Sequence, residues 1–389
     1  MAKSTSTPIS VVEPPRRWPS LSENGARPAH HLNGTATKFY PPWPSFRYQQ
    51  TSDWFKGFYA GATQGPRPGP DIKTKIPSQT PTWGTDKPTD GKLTWLGHAS
   101  YLLELPTPPG ATRGPRIIFD PVFSKRCSPN QWIGPARYTD TPCKIEDVPV
   151  VDAIVLSHDH YDHTDIPTLK ALLANPECDA HVFVGLNCGE LHRNALKLPA
   201  ERVHELEWWD ERVMTIPLGG TNSRVRVTAV PSQHVGGRTG FDRWASLWAA
   251  WVIEELPEPE KDTVGKTVYF AGDTGYRTVR NGEDEDKVPV CPAFAEVGER
   301  FGGVDVALLP IGAYSPRWMW SNLHASPSDA VRMMRDVRAK KALAMHWGTW
   351  VLTTEPVLEP PQLLRKECER AGVRDDEFLV PALGETVLF

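Results

Sequence analysis

The chain has 389 residues, with 43 Lys and Arg against 47 Asp and Glu, so its net charge is −4. This weakly acidic balance argues against nucleic acid as a partner, because phosphate backbones bind to basic surfaces. Proline accounts for 39 residues, about twice the usual share, which excludes a helical bundle or a coiled coil. Because 14 of these prolines lie within residues 1–90, the front of the chain differs in composition from the rest.

The cysteines and the N-terminus indicate an intracellular protein. The six cysteines are scattered and form no C-x-x-C pair, which is typical of a reducing compartment and argues against a zinc finger. Residues 1–20 lack the apolar run of a signal peptide, and no stretch of 18 apolar residues could span a membrane. We therefore expect a protein that is not secreted and has no transmembrane segment.

The front of the chain has two parts. Residues 1–40 mix Ser, Thr, Pro, Gly and charged residues without periodicity, so we predict a disordered N-terminal tail. Residues 41–90 remain rich in Pro and Gly, which argues against regular structure, but they contain aromatic side chains that favour burial. These are Trp43, Phe46, Trp54, Phe55 and Phe58. We predict that residues 41–90 form an arm that packs on the main domain or touches a membrane.

From Gly91 onward the sequence predicts alternating strands and helices. The predicted strands are Lys92–Leu105, Arg116–Phe119, Val151–Leu156, His181–Val184, Arg224–Val230, Ser246–Ile253, Thr267–Phe270, Val304–Pro310 and Ala342–His346. Four helices are predicted. Three begin at or after Asp165, Pro292 and Ser326, and the fourth covers Pro361–Ala371. Strands come first and helices are interspersed later, which predicts a layered α/β or α+β domain over residues 91–389.

The run His158-x-His160-x-Asp162-His163 is the most informative feature of the sequence. His158 and His160 are two residues apart at the end of an apolar strand, so their side chains point to one side. Three imidazoles and a carboxylate within six residues provide the ligand chemistry of a zinc site. A polar surface loop is the alternative, but four ligand-type residues directly after a buried strand favour the metal.

Three further candidate ligands also follow apolar strands. His234 comes after Val225–Val230, Asp273 after Val268–Gly272, and His346 after Leu343–Met345. The ends of strands are where a rigid scaffold presents a site on its loops. Together with the run at 158–163 they form a set of seven candidate ligands.

Six segments between Lys92 and Leu364 resemble a known family. They are Trp95–Ser100, Ser157–His163, Phe270–Tyr276, Pro310–Tyr314, Pro316–Trp318 and His346–Thr349. The H-x-H-x-D-H run, followed by His, Asp and His in that order, resembles the metallo-β-lactamase superfamily. The last four segments resemble its N-acylphosphatidylethanolamine-hydrolysing phospholipase D branch. The resemblance implies a four-layer αββα sandwich with its site at the edge between two sheets, preceded by an irregular N-terminal extension.

The resemblance also implies two zinc ions and their ligands. The first would be held by His158, His160 and His234, and the second by Asp162, His163 and His346, with Asp273 bridging both. A hydroxide between two such ions would attack the phosphorus of a membrane phospholipid and release N-acylethanolamine and phosphatidic acid. It implies peripheral contact with the cytoplasmic face of a membrane or with a mitochondrial membrane, and a possible homodimer.

The remaining site predictions are less direct. Besides Asp273, we predict a catalytic role for His324, either in orienting the substrate or in transferring a proton. Substrate contacts are predicted for Tyr161, Trp318, Trp320 and His324. The family pattern has Gln before that histidine, whereas this chain has Leu323, which is a departure in the head-group region. His98 is expected to be a buried structural histidine.

Two other readings of the sequence remain open. One is a soluble lactonase or phosphodiesterase of the same superfamily, acting on a small polar substrate. The other is a scaffold that binds metal without turnover. An exposed apolar patch near the metals would favour the membrane substrate.

Overall fold

Two mixed β-sheets pack face to face in a computed structural model of the protein, which describes residues 8–18, 28–32, 34–49, 51–239, 241–257 and 264–389. The strands are β1 (Ser10–Val12), β2 (Lys92–Gly97), β3 (Ser100–Glu104), β4 (Arg116–Phe119), β5 (Ala153–Val155), β6 (His181–Gly185), β7 (Val203–Leu206), β8 (Glu211–Pro217), β9 (Asn222–Val230), β10 (Ala250–Leu256), β11 (Thr267–Phe270), β12 (Val304–Pro310), β13 (Ala339–Met345), β14 (Phe378–Leu379) and β15 (Thr386–Leu388).

Sheet I has eight strands in the order β1-β8-β9-β10-β11-β12-β13-β14, and sheet II has seven in the order β15-β2-β3-β4-β5-β6-β7. Each sheet has an antiparallel half and a parallel half. In sheet I the parallel half is β11 to β14, and in sheet II it is β4 to β7. The parallel strands lead into helices or loops at their carboxyl ends, where sites in α/β folds are found.

Helices cover the outer face of each sheet. They are α1 (Thr51–Gln64), α2 (Ile72–Lys75), α3 (Ile166–Leu173), α4 (Gly189–Leu196), α5 (Ala293–Phe301), α6 (Arg317–Trp320), α7 (Pro327–Asp336) and α8 (Glu359–Ala371). Helix α7 packs on β12, β13, α5 and α8, whereas α3 and α4 pack together beside β7. The result is the predicted four-layer αββα sandwich.

The alternation of side chains along β4 shows how the layers are held together. Ile117 and Phe119 are buried between the two sheets, where Phe119 stacks on Phe270 at 4.7 Å. Ile118 points to the opposite face and is buried beneath α3 with Leu169. A strand with apolar residues on both faces is typical of the interior of such a sandwich. Each fully buried aliphatic or aromatic side chain contributes about 1.5–3 kcal/mol.

The structure corrects the prediction that residues 1–40 are a disordered tail. Residues 10–12 form β1, which pairs with β8 at the edge of sheet I. Arg17 donates hydrogen bonds to the buried carboxylates of Glu211 and Glu254. Buried carboxylates are costly without a partner, so this arginine holds the segment on the domain. The remaining parts of the predicted tail, residues 1–7, 19–27 and 33, lie outside the described residues.

The prediction of an irregular arm at residues 41–90 is also partly wrong. Residues 51–64 form α1, which packs against α6. Packing on the core is observed for Phe46, which is buried with Val235 and Leu323, and for Trp43, which stacks on Trp208. Phe55 is exposed. The side chains of Trp54 and Phe58 lie outside the described residues.

Candidate metal centre

Each candidate ligand follows the carboxyl end of a strand. His98 follows β2 and the 158–163 run follows β5 in sheet II, whereas His234, Asp273 and His346 follow β9, β11 and β13 in sheet I. Because the two sheets stack with these ends at one edge, residues up to 248 positions apart meet at a single point. The structure brings all seven predicted ligands together there.

Three imidazoles form the first group. His158 Nε2 lies 2.8 Å from His160 Nδ1, and His234 Nε2 lies 3.4 Å from the same atom. His234 Nδ1 donates a hydrogen bond to the backbone oxygen of Leu323, 3.0 Å away, because a carbonyl oxygen can only accept; Nδ1 therefore carries the proton. The Nε2 lone pair is therefore directed at the group, as a metal ligand requires.

The second group contains Asp162, His163 and His346, and also His98. Asp162 Oδ2 lies 3.5 Å from His163 Nε2 and 3.8 Å from His346 Nε2. His98 Nε2 lies 3.1 Å from the same oxygen. His98 is buried, as expected, but it lies within this group rather than away from it. The sequence signal for His98 was its position after β2, the same position that the other ligands have after their strands.

Asp273 joins the two groups. Its Oδ2 lies 3.2 Å from His163 Nε2 and 3.9 Å from His234 Nε2, and its Oδ1 lies 2.9 Å from His346 Nε2. Despite these short distances, Asp273 Oδ1, His163 Nε2 and His346 Nε2 are buried without a hydrogen bond of acceptable geometry. Buried polar atoms without partners are rare and costly. Their convergence fits a bound cation, so the donor set is suited to divalent metal.

The electrostatics of the centre also suit a metal. Burial alone would raise the pKa of Asp273, but His163 and His346 outweigh it and hold that pKa well below its usual range. Asp162 is affected in the same way, chiefly by His163. Burial and the neighbouring imidazoles keep the pKa of His158 well below its usual value. Burial lowers the pKa of His346, but Asp273 and Asp162 outweigh it and raise the pKa to about 9. A cation would replace the proton that these carboxylates attract.

Asp120 is a site residue that the sequence did not single out. Its Oδ2 accepts a hydrogen bond from His163 Nδ1 at 2.6 Å, and its carboxylate also accepts from the Ser157 amide and hydroxyl. A carboxylate on the far nitrogen of a histidine fixes its tautomer and aims the other nitrogen at the metal. The available signal was again a polar residue directly after an apolar strand, here β4.

Three residues of the centre have strained backbones. His98, Asp120 and His346 have φ angles of 50°, 38° and 64°, in the left-handed region that side chains disfavour. The His346 amide donates to the backbone oxygen of His98, which ties the two loops together. Strain of about 1–3 kcal/mol at such positions persists where the surrounding packing holds it.

A cleft of about 440 Å³ opens onto the centre. It is lined by the ligands His160 and Asp273 and by His324, Leu323 and Trp320. His324 Nδ1 lies 3.8 Å from Asp273 Oδ2, is buried and has no hydrogen-bond partner. Two of the predicted substrate contacts, His324 and Trp320, thus line the cleft together with the apolar Leu323.

The other two predicted substrate contacts lie elsewhere. The ring of Tyr161 lies under the guanidinium of Arg238 at 3.9 Å, and it borders a neighbouring depression instead of the cleft. Trp318 is half-buried on α6 and is not among the residues that line the cleft. Asp159, which alternation directs away from the metals, accepts hydrogen bonds from Gly237 and Ser246.

Comparison with known proteins agrees with this geometry. The family model described as the beta-lactamase superfamily domain matches residues 115–347. The N-acyl-phosphatidylethanolamine-hydrolyzing phospholipase D 1 of Caenorhabditis elegans is 34% identical over 295 residues, which are 75% of this chain and 74% of that protein.

The chain belongs to the N-acyl-phosphatidylethanolamine-hydrolysing phospholipase D family of the metallo-β-lactamase superfamily. A second member of the phospholipase D family, the mitochondrial protein of Saccharomyces cerevisiae, is 32% identical over 76% of this chain and 55% of its own length. Among solved structures, a possible metal-dependent hydrolase from Veillonella parvula superposes with a TM-score of 0.51 at 19% identity, covering 77% of this chain and 99% of its own. That likeness shows the fold.

Membership of this family makes the protein a metal-dependent hydrolase, and the fold implies that its histidine and aspartate clusters bind divalent metal. Among the described residues, no helix is long and apolar enough to cross a membrane.

Proposed function

We propose that this hydrolase is a phosphodiesterase of the phospholipase D type, which converts N-acylphosphatidylethanolamine into N-acylethanolamine and phosphatidic acid with two zinc ions. The observation that carries the proposal is the position of Asp273 between the two groups of ligands. A single carboxylate shared by two sets of imidazoles is the arrangement expected for a pair of metals. The names of the two phospholipase D relatives support the substrate.

The donor set supports zinc as the metal. His158, His160 and His234 would hold one ion, and Asp162, His163 and His346 the other, with Asp273 bridging. Neutral imidazoles with a minority of carboxylates are typical zinc ligands, whereas magnesium and calcium prefer oxygen. When bound, the zinc pair would supply a water that is deprotonated near neutral pH and positive charge opposite the phosphodiester.

The reaction needs a proton to be transferred to the departing ethanolamine oxygen. The oxygen of water forms a new bond to phosphorus, the bond from phosphorus to the ethanolamine oxygen breaks, and a proton reaches the departing oxygen. His324 is positioned for the last step, because its imidazole lines the cleft beside Asp273 with an unpartnered Nδ1. Burial keeps the pKa of His324 low, at about 4, so the ring is neutral at pH 7 and offers one N–H and one lone pair. The neutral ring would therefore act as a relay, in which its lone pair takes up a proton from water as its N–H passes one to the departing oxygen.

Contact with a membrane surface is part of this proposal. Phe241 is fully exposed on the loop between β9 and β10, and its neighbours Thr239 and Arg243 line the cleft. Phe55 and Tyr59 are exposed on α1, which packs against α6. Exposed apolar side chains near an active site favour a lipid over a small polar substrate.

The test is turnover of N-acylphosphatidylethanolamine in mixed micelles by zinc-loaded protein, measured as released N-acylethanolamine. We expect release by the wild-type protein and a loss of at least about a hundredfold in Asp273→Asn, which removes a charge from between the ligand groups. Fully zinc-loaded protein that releases no N-acylethanolamine would overturn the proposed substrate.

A second comparison tests the membrane contact. Phe241→Ser should slow hydrolysis of substrate in vesicles but leave hydrolysis of a monomeric short-chain substrate unchanged, because its side chain lies outside the cleft lining. Val264→Ser is the control, because it changes an exposed apolar residue in the loop that connects β10 and β11 of sheet I. Phe123→Ser would not serve, because that side chain packs on the core. Equal vesicle activity for Phe241→Ser and Val264→Ser would contradict the membrane role of Phe241.

A further inference from the structure

Another group of potential metal ligands shares no residue with the candidate metal centre. It consists of His30, His31 and Glu207, and one ligand atom of each lies within 4.8 Å of the others. His30 Nε2 lies 2.9 Å from Glu207 Oε1, and His31 Nε2 lies 2.6 Å from Glu207 Oε2. His31 and Glu207 are 176 positions apart in the sequence, so the fold brings two imidazoles to one distant carboxylate.

The partners of Glu207 differ from those of the acidic residues that follow it. Asp210 pairs with Arg16, and Glu211 pairs with Arg17. Glu207 instead pairs with two imidazoles, and a neutral imidazole can offer a lone pair, which a guanidinium never does. An arginine would suffice for a permanent ion pair, whereas two histidines and a glutamate are the donor set of a known class of zinc site.

Both histidines are held in place by their surroundings. The Tyr40 amide donates to the backbone oxygen of His30, 2.8 Å away. The ring of His30 stacks on Trp208 at 4.1 Å, and the ring of His31 meets Phe39 edge-on at 5.3 Å. Ligands that are already oriented, with apolar rings around them, lose little freedom when they bind an ion.

The spacing and the exposure of the three side chains also suit zinc. Nitrogen and oxygen ligands lie about 2.0–2.2 Å from a tetrahedral zinc ion and therefore about 3.4 Å from one another. Only small side-chain movements separate the observed spacing from that arrangement. The side chains of His31 and Glu207 are 10% and 17% exposed, which leaves a path for the ion and room for water as the fourth ligand.

We propose that His30, His31 and Glu207 bind a zinc ion that clips residues 28–40 to the domain. Each imidazole then carries its proton on Nδ1 and gives its Nε2 lone pair to the ion. The clip is structural, because the Phe39 amide donates to the backbone oxygen of Trp244 and so links this segment to the loop between β9 and β10.

The clip site binds zinc more weakly than the candidate metal centre. It has three protein ligands, and the ion must displace the protons that these imidazoles share with Glu207. A chelating resin that removes free ions therefore also empties this site. The site does not depend on the proposed substrate, since none of its residues lines the cleft.

The test is a calorimetric titration of zinc into protein that has passed through a chelating resin. We expect wild type to take up one ion per chain beyond those that the resin leaves bound. His31→Gln and Glu207→Gln should weaken this binding by more than about tenfold, because a lost ligand costs more than a lost supporting residue. Glutamine at position 31 can still donate to Glu207, so the variant keeps a hydrogen bond while it loses the imidazole.

His204→Gln is the matched control, because His204 is a partly buried histidine that pairs with His181. It should take up the further ion as wild type does. If His31→Gln binds that ion as tightly as wild type, the ion lies elsewhere and the inference is wrong. A wild-type protein that takes up no further ion also overturns it.

Hydrogen exchange tests the clip itself. Zinc at concentrations that fill the site should slow exchange of the Phe39 and Tyr40 amides in wild type but not in His31→Gln. Unchanged exchange in zinc-saturated wild type would contradict the structural role. Neither measurement involves hydrolysis of N-acylphosphatidylethanolamine, so the proposed function and this inference fail independently.

Discussion

Asp120 fixes the orientation of one candidate ligand without contacting the cleft. Its carboxylate accepts from His163 Nδ1, so His163 Nε2 is directed toward Asp162 and Asp273. An amide at this position would keep the size of the side chain but remove its charge. The orientation of His163 would then lose its electrostatic support.

We predict that Asp120→Asn lowers zinc affinity by about tenfold to a hundredfold, as is typical when a carboxylate behind a metal-bound histidine is lost. The affinity is measured by competition with a chromophoric chelator. Asp305→Asn is the matched control, because Asp305 binds the Thr267 amide and Lys340 on sheet I. Unchanged zinc affinity in Asp120→Asn would show that His163 does not depend on Asp120.

At the level of single residues, the sequence singled out the seven candidate ligands that the structure brings together, but not their surroundings. His158 to His163 are close in sequence, so their spacing alone indicates a site. His98 and Asp120 come near them only because β4 pairs with β5 in sheet II and β2 follows in the same sheet beyond β3, and strand order cannot be read from a local pattern. Tyr161, next to two ligands in sequence, points toward Arg238 because consecutive residues of the run face different ways.

At the scale of elements, a short part of the N-terminal arm, residues 45–49, supports the loops that carry the site. Ser45 donates to Gln233, the residue before the candidate ligand His234, and Gln49 donates to Asn322, two residues before His324. Gln233 Nε2 also donates to the backbone oxygen of Asn322, which links the two loops. This part of the arm therefore supports two loops whose residues line the cleft.

We predict that Gln49→Leu destabilises the protein by about 1–3 kcal/mol, because it leaves buried acceptors of Asn322 and Met319 without a donor. Urea unfolding measures this cost, and kcat should fall with it because the loop of His324 loses support. Gln79→Leu, at an exposed position, should change neither. A stable Gln49→Leu protein with normal kcat would mean that the arm lies on the domain without supporting the loop of His324.

A second element-scale prediction concerns pH. Across β6 and β7, His181 Nδ1 lies 2.8 Å from His204 Nε2, and burial together with His181 and Arg212 lowers the pKa of His204 from 6.5 to about 4. The unfolded chain therefore binds this proton more readily. The folded state therefore has its full stability with respect to His204 above pH 6.5 and loses stability as the pH falls toward 4, because protonation of His204 favours the unfolded chain.

Consequently, the Tm of the His204→Gln variant should fall less than that of the wild-type protein when the pH is lowered from 7.5 to 5. The substitution removes one group whose protonation favours unfolding in acid. The measurement is the change in Tm over this interval for both proteins. The metal centre contributes equally to both, so the difference between them isolates His204. Equal changes in Tm would contradict the lowered pKa.

The sequence predicted some elements to the residue and missed others. Strands β4, β11 and β12 have the predicted bounds, and α7 begins at Pro327 with the predicted Ser326 as its N-cap. In contrast, β1 and β15 are three residues long and are stabilised by pairing with β8 and β2, which are distant in sequence. Helix α1 was missed because the segment around it is rich in proline, although the helix itself contains none.

At the scale of the whole molecule, the centre exists only where the two sheets meet. Sheet II supplies the 158–163 run and sheet I supplies His234, Asp273 and His346, so neither sheet contains a complete group. The αββα fold was implied by the family resemblance, to which the order of these ligands along the chain contributed. The predicted homodimer, the intracellular location and the membrane face remain predictions.

The central claim is that the two ligand groups hold two metal ions joined by Asp273. Metal content after removal of free ions, measured by elemental mass spectrometry, tests it most directly when wild type is compared with His234→Asn and His346→Asn. We predict about two zinc ions per chain for wild type and about one for each variant, because each substitution removes a ligand from one group only. A wild-type protein with a single ion, or a His234→Asn variant that retains both, would contradict the account.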